Sequence, residues 1–175
     1  MSVSSHLNPE PERRLWIIHE NVLRALEWTD VKLAIMAFLA AVEMPVILGV
    51  FREGPLPLLA VALMCLVLPL ALTGLSPLAE TSRQIPLLDQ RVGKIHSEDS
   101  FLLPRDLAGY PHIELVNRLD KYLGGGITAT PYYEDIVGRI IAASRSFVRK
   151  RRLFLLACFP AVSAQLVLAA ILALR

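Results

Sequence analysis

Three blocks of almost uninterrupted apolar residues constrain this chain more than any other feature of its sequence. They cover residues 33–51, 56–75 and 153–175, with charged sequence between them. A helix rises about 1.5 Å per residue, so about 20 apolar residues cross the hydrocarbon core of a bilayer. Hydrophobic residues make up 54% of the chain, and a single soluble core would not gather them into such blocks. The pattern predicts an integral membrane protein whose partner is the lipid bilayer.

The predicted fold is an all-α membrane protein. Leu15, Ile18 and Val22 recur at helical spacing before the first block, which indicates an amphipathic helix that continues into the membrane. Only four residues, Arg52 to Pro55, join the first two blocks, so these form an antiparallel hairpin. The predicted domains are a cytoplasmic N-terminal amphipathic helix, a transmembrane hairpin with spans 33–51 and 56–75, a cytoplasmic helical region and a third transmembrane span, over residues 1–32, 33–75, 76–152 and 153–175 respectively.

The region between the hairpin and the third span is polar and rich in proline. Residues 76–110 predict irregular chain with one short helix. After this stretch, apolar residues that recur at helical spacing predict a short amphipathic helix. It ends at a flexible glycine turn, Gly124 to Gly126. Pro131 begins the last helix, which runs without a breaker through the basic run Arg149 to Arg152 into the third span. The stripe of the short helix consists of Ile113, Val116, Leu119 and Leu123.

Arginine and lysine residues set the predicted orientation. Arg24 and Lys32 precede the first span and the basic run Arg149 to Arg152 precedes the third, whereas Arg52 alone marks the hairpin tip. Positive residues stay on the cytoplasmic side, so the N-terminus and residues 76–152 are predicted to be cytoplasmic and the protein multi-pass. The net charge of +2 does not favour nucleic acid as a partner.

No catalytic constellation is recognisable. The four histidines and two cysteines show no spacing typical of a metal site, and no serine or cysteine stands in a nucleophile motif. We therefore expect neither an enzyme nor a bound metal or cofactor.

Glu43 is the ionisable residue that lies well inside an apolar block. Three interpretations are open: a protonated hydrogen-bond partner of Gln165 or Thr73, part of an ion path in an oligomer, or, beside Pro45, a position nearer the interface. A carboxylate facing lipid is costly in all three, so Glu43 is expected to face another helix or water.

Tyrosines and arginines of the polar region are candidate ligand-binding residues. Aromatic faces and guanidinium groups can hold the base and phosphate of a nucleotide. The alternative is ordinary packing by the tyrosines and solvation of a polar face by the arginines. The candidates are Arg105, Arg118, Tyr122, Tyr132, Tyr133, Arg139 and Arg145.

Several short motifs resemble those of the transmembrane effectors of Pycsar anti-phage systems, and the likeness covers nearly the whole chain. The matching stretches are His19 to Leu23 with Trp28 to Ala34, which includes an Asp-x-Lys motif; Phe101 with Asp106, Leu107 and Ala108; and Asp135 and Ile136 with Ser144 and Lys150. Three apolar helices enclose little space for ions, so a conducting path is expected to form between the subunits of a homo-oligomer. The resemblance implies an effector in the bacterial inner membrane that binds cyclic CMP or cyclic UMP, made by a partner pyrimidine cyclase during phage infection. It also implies that the effector then impairs the membrane and causes abortive infection.

Two alternative functions belong to other classes. One is a membrane-anchored interaction or assembly subunit whose polar helices bind another protein without a nucleotide. The other is a subunit of a small transporter, which the size of the polar region disfavours.

The predicted orientation can be tested directly with reporters. A reporter fused after Arg175 should be periplasmic, and one inserted near Glu98 should be cytoplasmic, because basic residues flank the cytoplasmic ends of the spans. Alkaline phosphatase and fluorescent protein fusions read the two compartments. Cytoplasmic labelling at Gly54 would overturn the orientation.

Overall fold

The structure is a computed structural model that describes residues 9–51, 54–76, 99–123 and 131–173. Within these ranges the chain is helical and contains no strand. The helices are α1 (Pro9–Val50), α2 (Pro55–Leu75), α3 (Pro104–Leu107), α4 (His112–Leu123) and α5 (Pro131–Ala173). The predicted all-α class is confirmed. The predicted turn at Gly124 to Gly126 and most of the proline-rich stretch before residue 99 lie outside the described residues.

Helices α1, α2 and α5 are each long and apolar enough to cross a membrane. The predicted run from the amphipathic N-terminal helix into the first apolar block, and from the polar region into the third, is confirmed by α1 and α5, which are 42 and 43 residues long. Each long helix contains an internal proline, at Pro45, Pro69 and Pro160. Proline removes a single backbone donor, and helices that span membranes tolerate it where another group satisfies the freed carbonyl.

The chain divides into two compact units. The first unit comprises residues 1–26 and 90–148, and the second comprises residues 27–89 and 149–175. Both α1 and α5 contribute residues to both units, and α2 belongs to the second unit alone.

Contacts inside the second unit fix the directions of its three helices. Leu33, early in the apolar part of α1, lies against Gly74 near the end of α2, and the Met44 and Cys65 sulfur atoms are 3.5 Å apart. Later residues of α1 therefore meet earlier residues of α2, and the predicted hairpin is antiparallel. Two polar contacts join α1 to α5, Asp30 with Lys150 and Glu43 with Gln165. The later residue of α1 contacts the later residue of α5, so these two helices run parallel.

Small side chains fill the centre of the second unit. Its buried cluster combines Ala40 of α1, Met64 and Val67 of α2, and Ala157 and Ala164 of α5. Alanine and glycine at such positions let helix backbones approach closely, which is how helices associate where lipid supplies no hydrophobic driving force between them.

Larger side chains form the core of the first unit. The cluster of buried residues joins α1, α4 and α5 around the segment that contains α3, and it consists of Leu15, Ile18, Val22, Leu107, Tyr110, Leu115, Val116, Leu119, Tyr133, Ile136, Val137, Ile140 and Ile141. The predicted stripe of α1 is thus the face that packs. This composition is typical of burial from water, where apolar area supplies the driving force.

The prediction that Ile113 belongs to the apolar stripe of α4 is wrong. Ile113 is 75% exposed, whereas Leu115 is fully buried beside Val116 and Leu119. At about 100° per residue, Ile113 is displaced by about 160° from Leu115 and by about 120° from Leu119. The stripe is centred on Leu115 and Leu119, and Ile113 lies in the first turn on a different face.

Gly74 is the tightest approach of α2 to its neighbours among the described glycines. A Cβ at this position would lie 2.8 Å from Leu33 Cδ1 and 3.7 Å from the Leu153 Cβ. Leu33 is itself fully buried, so its side chain has little room to move aside.

Replacing Gly74 by leucine should therefore destabilise the second unit. Forcing extra volume into a packed interior costs about 1–3 kcal/mol. The measurement is the free energy of unfolding in mixed detergent and denaturing micelles. The control is Gly49→Leu in α1, where nothing lies within 4 Å of a new Cβ and the helix-propensity gain is the same. Equal stability of the two variants would contradict the close approach.

Candidate functional site

A groove of about 670 Å³ lies in the first unit. It is formed by a face of α1, by the segment that precedes α3, and by one face of α4. Cationic side chains line it at Arg14, Arg118 and Lys121, and aromatic side chains at Phe101 and Tyr122. Such a combination suits an anionic ligand that has a planar group.

Hydrogen bonds hold one wall of the groove in place. The Tyr110 hydroxyl donates to Asp99 Oδ2 at 2.8 Å and accepts a hydrogen bond from Arg118. The Arg118 guanidinium is also 4.0 Å from the Asp99 carboxylate, and both side chains are about three-quarters buried. Arg118 is thus a fixed positive group in the wall, with its charge partly balanced by Asp99.

Aromatic contacts shape the neighbouring wall. The Phe101 and Tyr122 rings have centroids 4.8 Å apart at an interplanar angle of 45°, and the Arg118 guanidinium lies 5.2 Å from the Phe101 centroid. These two rings already touch, so a planar ligand has no space between them. Tyr122 is 62% exposed, and its outer face is the accessible stacking surface.

The segment before α4 is positioned by its own short helix. Pro104 opens α3, and the Asp106 carboxylate accepts a hydrogen bond from the Ser100 backbone N–H at 3.1 Å. Leu107 and Ala108 are buried. This local network fixes residues 99–102, which supply Asp99 and Phe101 to the groove.

Only two of the seven predicted ligand-binding residues line the groove, Arg118 and Tyr122. Arg145 donates to the carbonyl oxygens of Ala108 and Tyr110, each at 3.3 Å, so it supports the chain that follows α3. Tyr133 is buried in the core of the first unit.

The other three candidates lie outside the groove. Arg105 is exposed on α3, and Tyr132 is half exposed at the start of α5, where its ring contacts that of Tyr133. Arg139 is exposed on α5 and influences His19 of α1 electrostatically. The structure places none of these three residues in the lining of the groove.

Sequence reasoning missed Arg14, Asp99 and Lys121 as groove residues. One signal was present, because Arg118, Lys121 and Tyr122 recur at i, i+3 and i+4 and therefore share a helix face. Asp99 and Arg14 are distant in sequence, and only the packing of the unit brings them to this face.

Glu43 and Gln165 meet in the second unit. Gln165 Nε2 donates to Glu43 Oε2 at 2.5 Å, which is one of the partners expected for Glu43. The other expected partner is not used, since the Thr73 hydroxyl donates to the Leu70 carbonyl oxygen at 3.0 Å.

A second polar contact joins the same helices where their apolar parts begin. Lys150 Nζ lies 2.8 Å from Asp30 Oδ1 and 2.9 Å from Oδ2, with the lysine side chain 7% and the aspartate side chain 36% exposed. From the sequence, Lys150 is one of four basic residues predicted to set the topology, and it is also one of the residues that carry the family resemblance. Its position shows that this member of the run also has an internal partner.

No family model, curated protein or solved structure matches this chain. Across the described ranges, no group of three or more histidine, cysteine or acidic residues is placed to hold a metal ion. The functional interpretation therefore depends on the geometry of the groove and of the two polar pairs, Glu43 with Gln165 and Asp30 with Lys150.

The environment of His19 gives the first unit a pH dependence. Burial, and to a smaller extent the Arg139 guanidinium, lower the pKa of His19 below its usual 6.5. The folded state therefore binds this proton less readily than the unfolded state does. The resulting stability is fully present above about pH 6.5 and is lost as the pH falls through the folded pKa.

Thermal unfolding in detergent at pH 7.5 and at pH 5.5 should reveal this dependence. The loss of stability on acidification should be smaller in His19→Gln than in the wild type. Arg139→Gln should reduce the loss less than His19→Gln does, because burial is the larger cause. An identical acid response of wild type and His19→Gln would rule out His19 as its source.

Proposed function

We propose that this chain is a membrane effector that a cyclic pyrimidine mononucleotide, cyclic CMP or cyclic UMP, activates by binding in the groove of the first unit. The observation that carries the proposal is the convergence of Arg14, Arg118 and Lys121 with the exposed face of Tyr122 in one groove of about 670 Å³. A cyclic mononucleotide presents one phosphate charge and one planar base, which these two kinds of groups complement.

The fit assigns a role to each wall. The phosphate lies towards Lys121 and Arg14, where its charge is best compensated, and the base stacks on the outer face of Tyr122. Arg118 adds positive potential from its fixed position against Tyr110 and Asp99. The proposed site is thus smaller than the set of seven residues considered from the sequence.

Activation follows through α1 in this proposal. The helix carries Arg14 in the groove and continues into the apolar residues that begin at Leu33, so a ligand that favours one placement of Arg14 biases the same helix that enters the membrane. A ligand shifts a conformational equilibrium only by binding one state better than the other. Arg14 is where that difference arises.

The biological setting comes from the sequence resemblance. A cyclase that responds to phage would make the nucleotide, and the effector, in the bacterial inner membrane with its polar region in the cytoplasm, would impair membrane integrity and abort the infection. The three helices able to span a membrane support the location in a membrane, and the groove supports the ligand. A membrane-anchored interaction subunit without a nucleotide is the competing function.

Calorimetric titration of the detergent-purified chain with cyclic CMP and cyclic UMP tests the site. Tyr122→Ala should weaken binding about 5- to 150-fold, because stacking of a base on an aromatic ring is worth about 1–3 kcal/mol. Lys121→Ala should weaken it as well, with a stronger effect at low salt.

The controls are similar residues outside the groove. Tyr132→Ala removes a tyrosine that is 52% exposed, against 62% for Tyr122, and Arg105→Ala removes an exposed cation; neither should alter the affinity. Absence of binding by both nucleotides would favour the interaction subunit. Equal weakening by Tyr122→Ala and Tyr132→Ala would place the ligand elsewhere. Nucleotide-dependent dye leakage from vesicles that contain the protein would link binding to membrane damage.

A further inference from the structure

The outer surface of the second unit carries two polar side chains, Glu43 and Gln165. Glu43 and Gln165 lie near the middle of the apolar parts of α1 and α5. Gln165 is exposed and Glu43 is half-buried. In a membrane this depth corresponds to hydrocarbon, where polar side chains that lack partners are costly.

The contact between the two residues leaves hydrogen-bonding capacity unused. A glutamine amide offers two N–H donors and a carbonyl acceptor, and a protonated carboxyl group both donates and accepts. One N–H of Gln165 bonds Glu43 Oε2. Within the described part of the chain, the second N–H and the Oε1 of Gln165, and the Oε1 of Glu43, have no partner.

The surface around this pair is an open groove. A groove of about 650 Å³ contains both side chains and is otherwise lined almost entirely by apolar residues. Small residues, Ala40, Ala161 and Ala169, form part of its lining. Grooves with small residues allow close helix approach, and a polar group on such a surface supplies a hydrogen bond across the interface.

We propose that a second copy of this chain covers the groove, related by a two-fold axis along the membrane normal. Two copies inserted in the same direction carry Glu43 and Gln165 at the same depth. Each pair has both unused donors and unused acceptors, so the Gln165 amide can bond to Glu43 of the partner subunit, and reciprocally. A different protein would need its own donor and acceptor at this depth, whereas a second copy has them by symmetry.

This inference goes beyond the proposed nucleotide function and does not depend on it. It concerns the second unit alone, and it holds for a homodimer with any activity. Loss of nucleotide binding in the groove of the first unit and loss of dimers are therefore separate results.

Cysteine crosslinking in membranes tests the interface. In a chain with Cys65→Ala and Cys158→Ala, Val162→Cys introduces a thiol in the groove, and Leu66→Cys introduces one on α2 outside it. The native side chains are 58% and 57% exposed. The pairings of α2 and α5 with α1 place the two positions within about one helical turn of the same depth.

Oxidative crosslinking of the purified protein in lipid vesicles should give dimers with Val162→Cys and few with Leu66→Cys. Equal dimer yields at the two positions, or monomers only, would overturn the proposal. Crosslinks to another protein in native membranes, without dimers of the purified chain, would also overturn it and identify a different partner.

A second measurement distinguishes the hydrogen bonds from the apolar surface. Dimer dissociation in vesicles is followed by energy transfer between labelled copies. It should be about tenfold easier for Gln165→Leu, because this change removes both reciprocal hydrogen bonds between the two copies. Glu43→Gln keeps a donor and an acceptor and should retain the dimer. Unchanged association in Gln165→Leu, with helicity and expression intact, would remove this pair from the interface.

Discussion

A peptide group that leaves water must find its hydrogen-bond partner within the protein, and a helix is the structure in which one segment does so alone. This constraint turns the three apolar blocks into helices. It does not hold those helices together, because lipid is as apolar as the side chains themselves. The two cores of the molecule show the difference. Three alanines with one methionine and one valine form the buried centre of the second unit, whereas leucine, isoleucine, valine and tyrosine form that of the first.

The sequence predicted the helices well because each is defined by its own residues. Runs of apolar residues and the position of Pro131 are local signals, and the structure begins α5 at Pro131. Helix α2 begins at Pro55, one residue before the predicted span. The groove was less predictable. Arg118 and Tyr122 stood out by residue type, yet Arg145 and Tyr133, equally plausible by type, contact the backbone and the core. Which side chains converge depends on packing between segments far apart in the chain, and helical spacing does not encode that.

Polar contacts between the long helices were the second feature that the sequence predicted incompletely. Glu43 was conspicuous because its block is otherwise apolar, and Gln165 and Thr73 could be named as its candidate partners, of which the structure uses Gln165. Lys150 matched a motif lysine of the family resemblance, but the basic run by itself gave no reason to expect that Lys150 has a partner inside the protein. A buried ammonium group needs a counter-charge, and Asp30 of α1 supplies it to Lys150 of α5. The Lys150 side chain is buried only because the helices pack together. The order of residues in the basic run does not predict this burial.

Helix α5 is synthesised long after the hairpin, and its alignment with α1 is specified by two polar pairs far apart along both helices. Asp30 with Lys150 and Glu43 with Gln165 are separated by 120 and 122 positions in the chain. The apolar and small residues between them would tolerate a sliding helix. A shift of one turn, about 5.4 Å, would separate both pairs at once. The hairpin can therefore form first, and the last helix still has a single longitudinal position in which to join it.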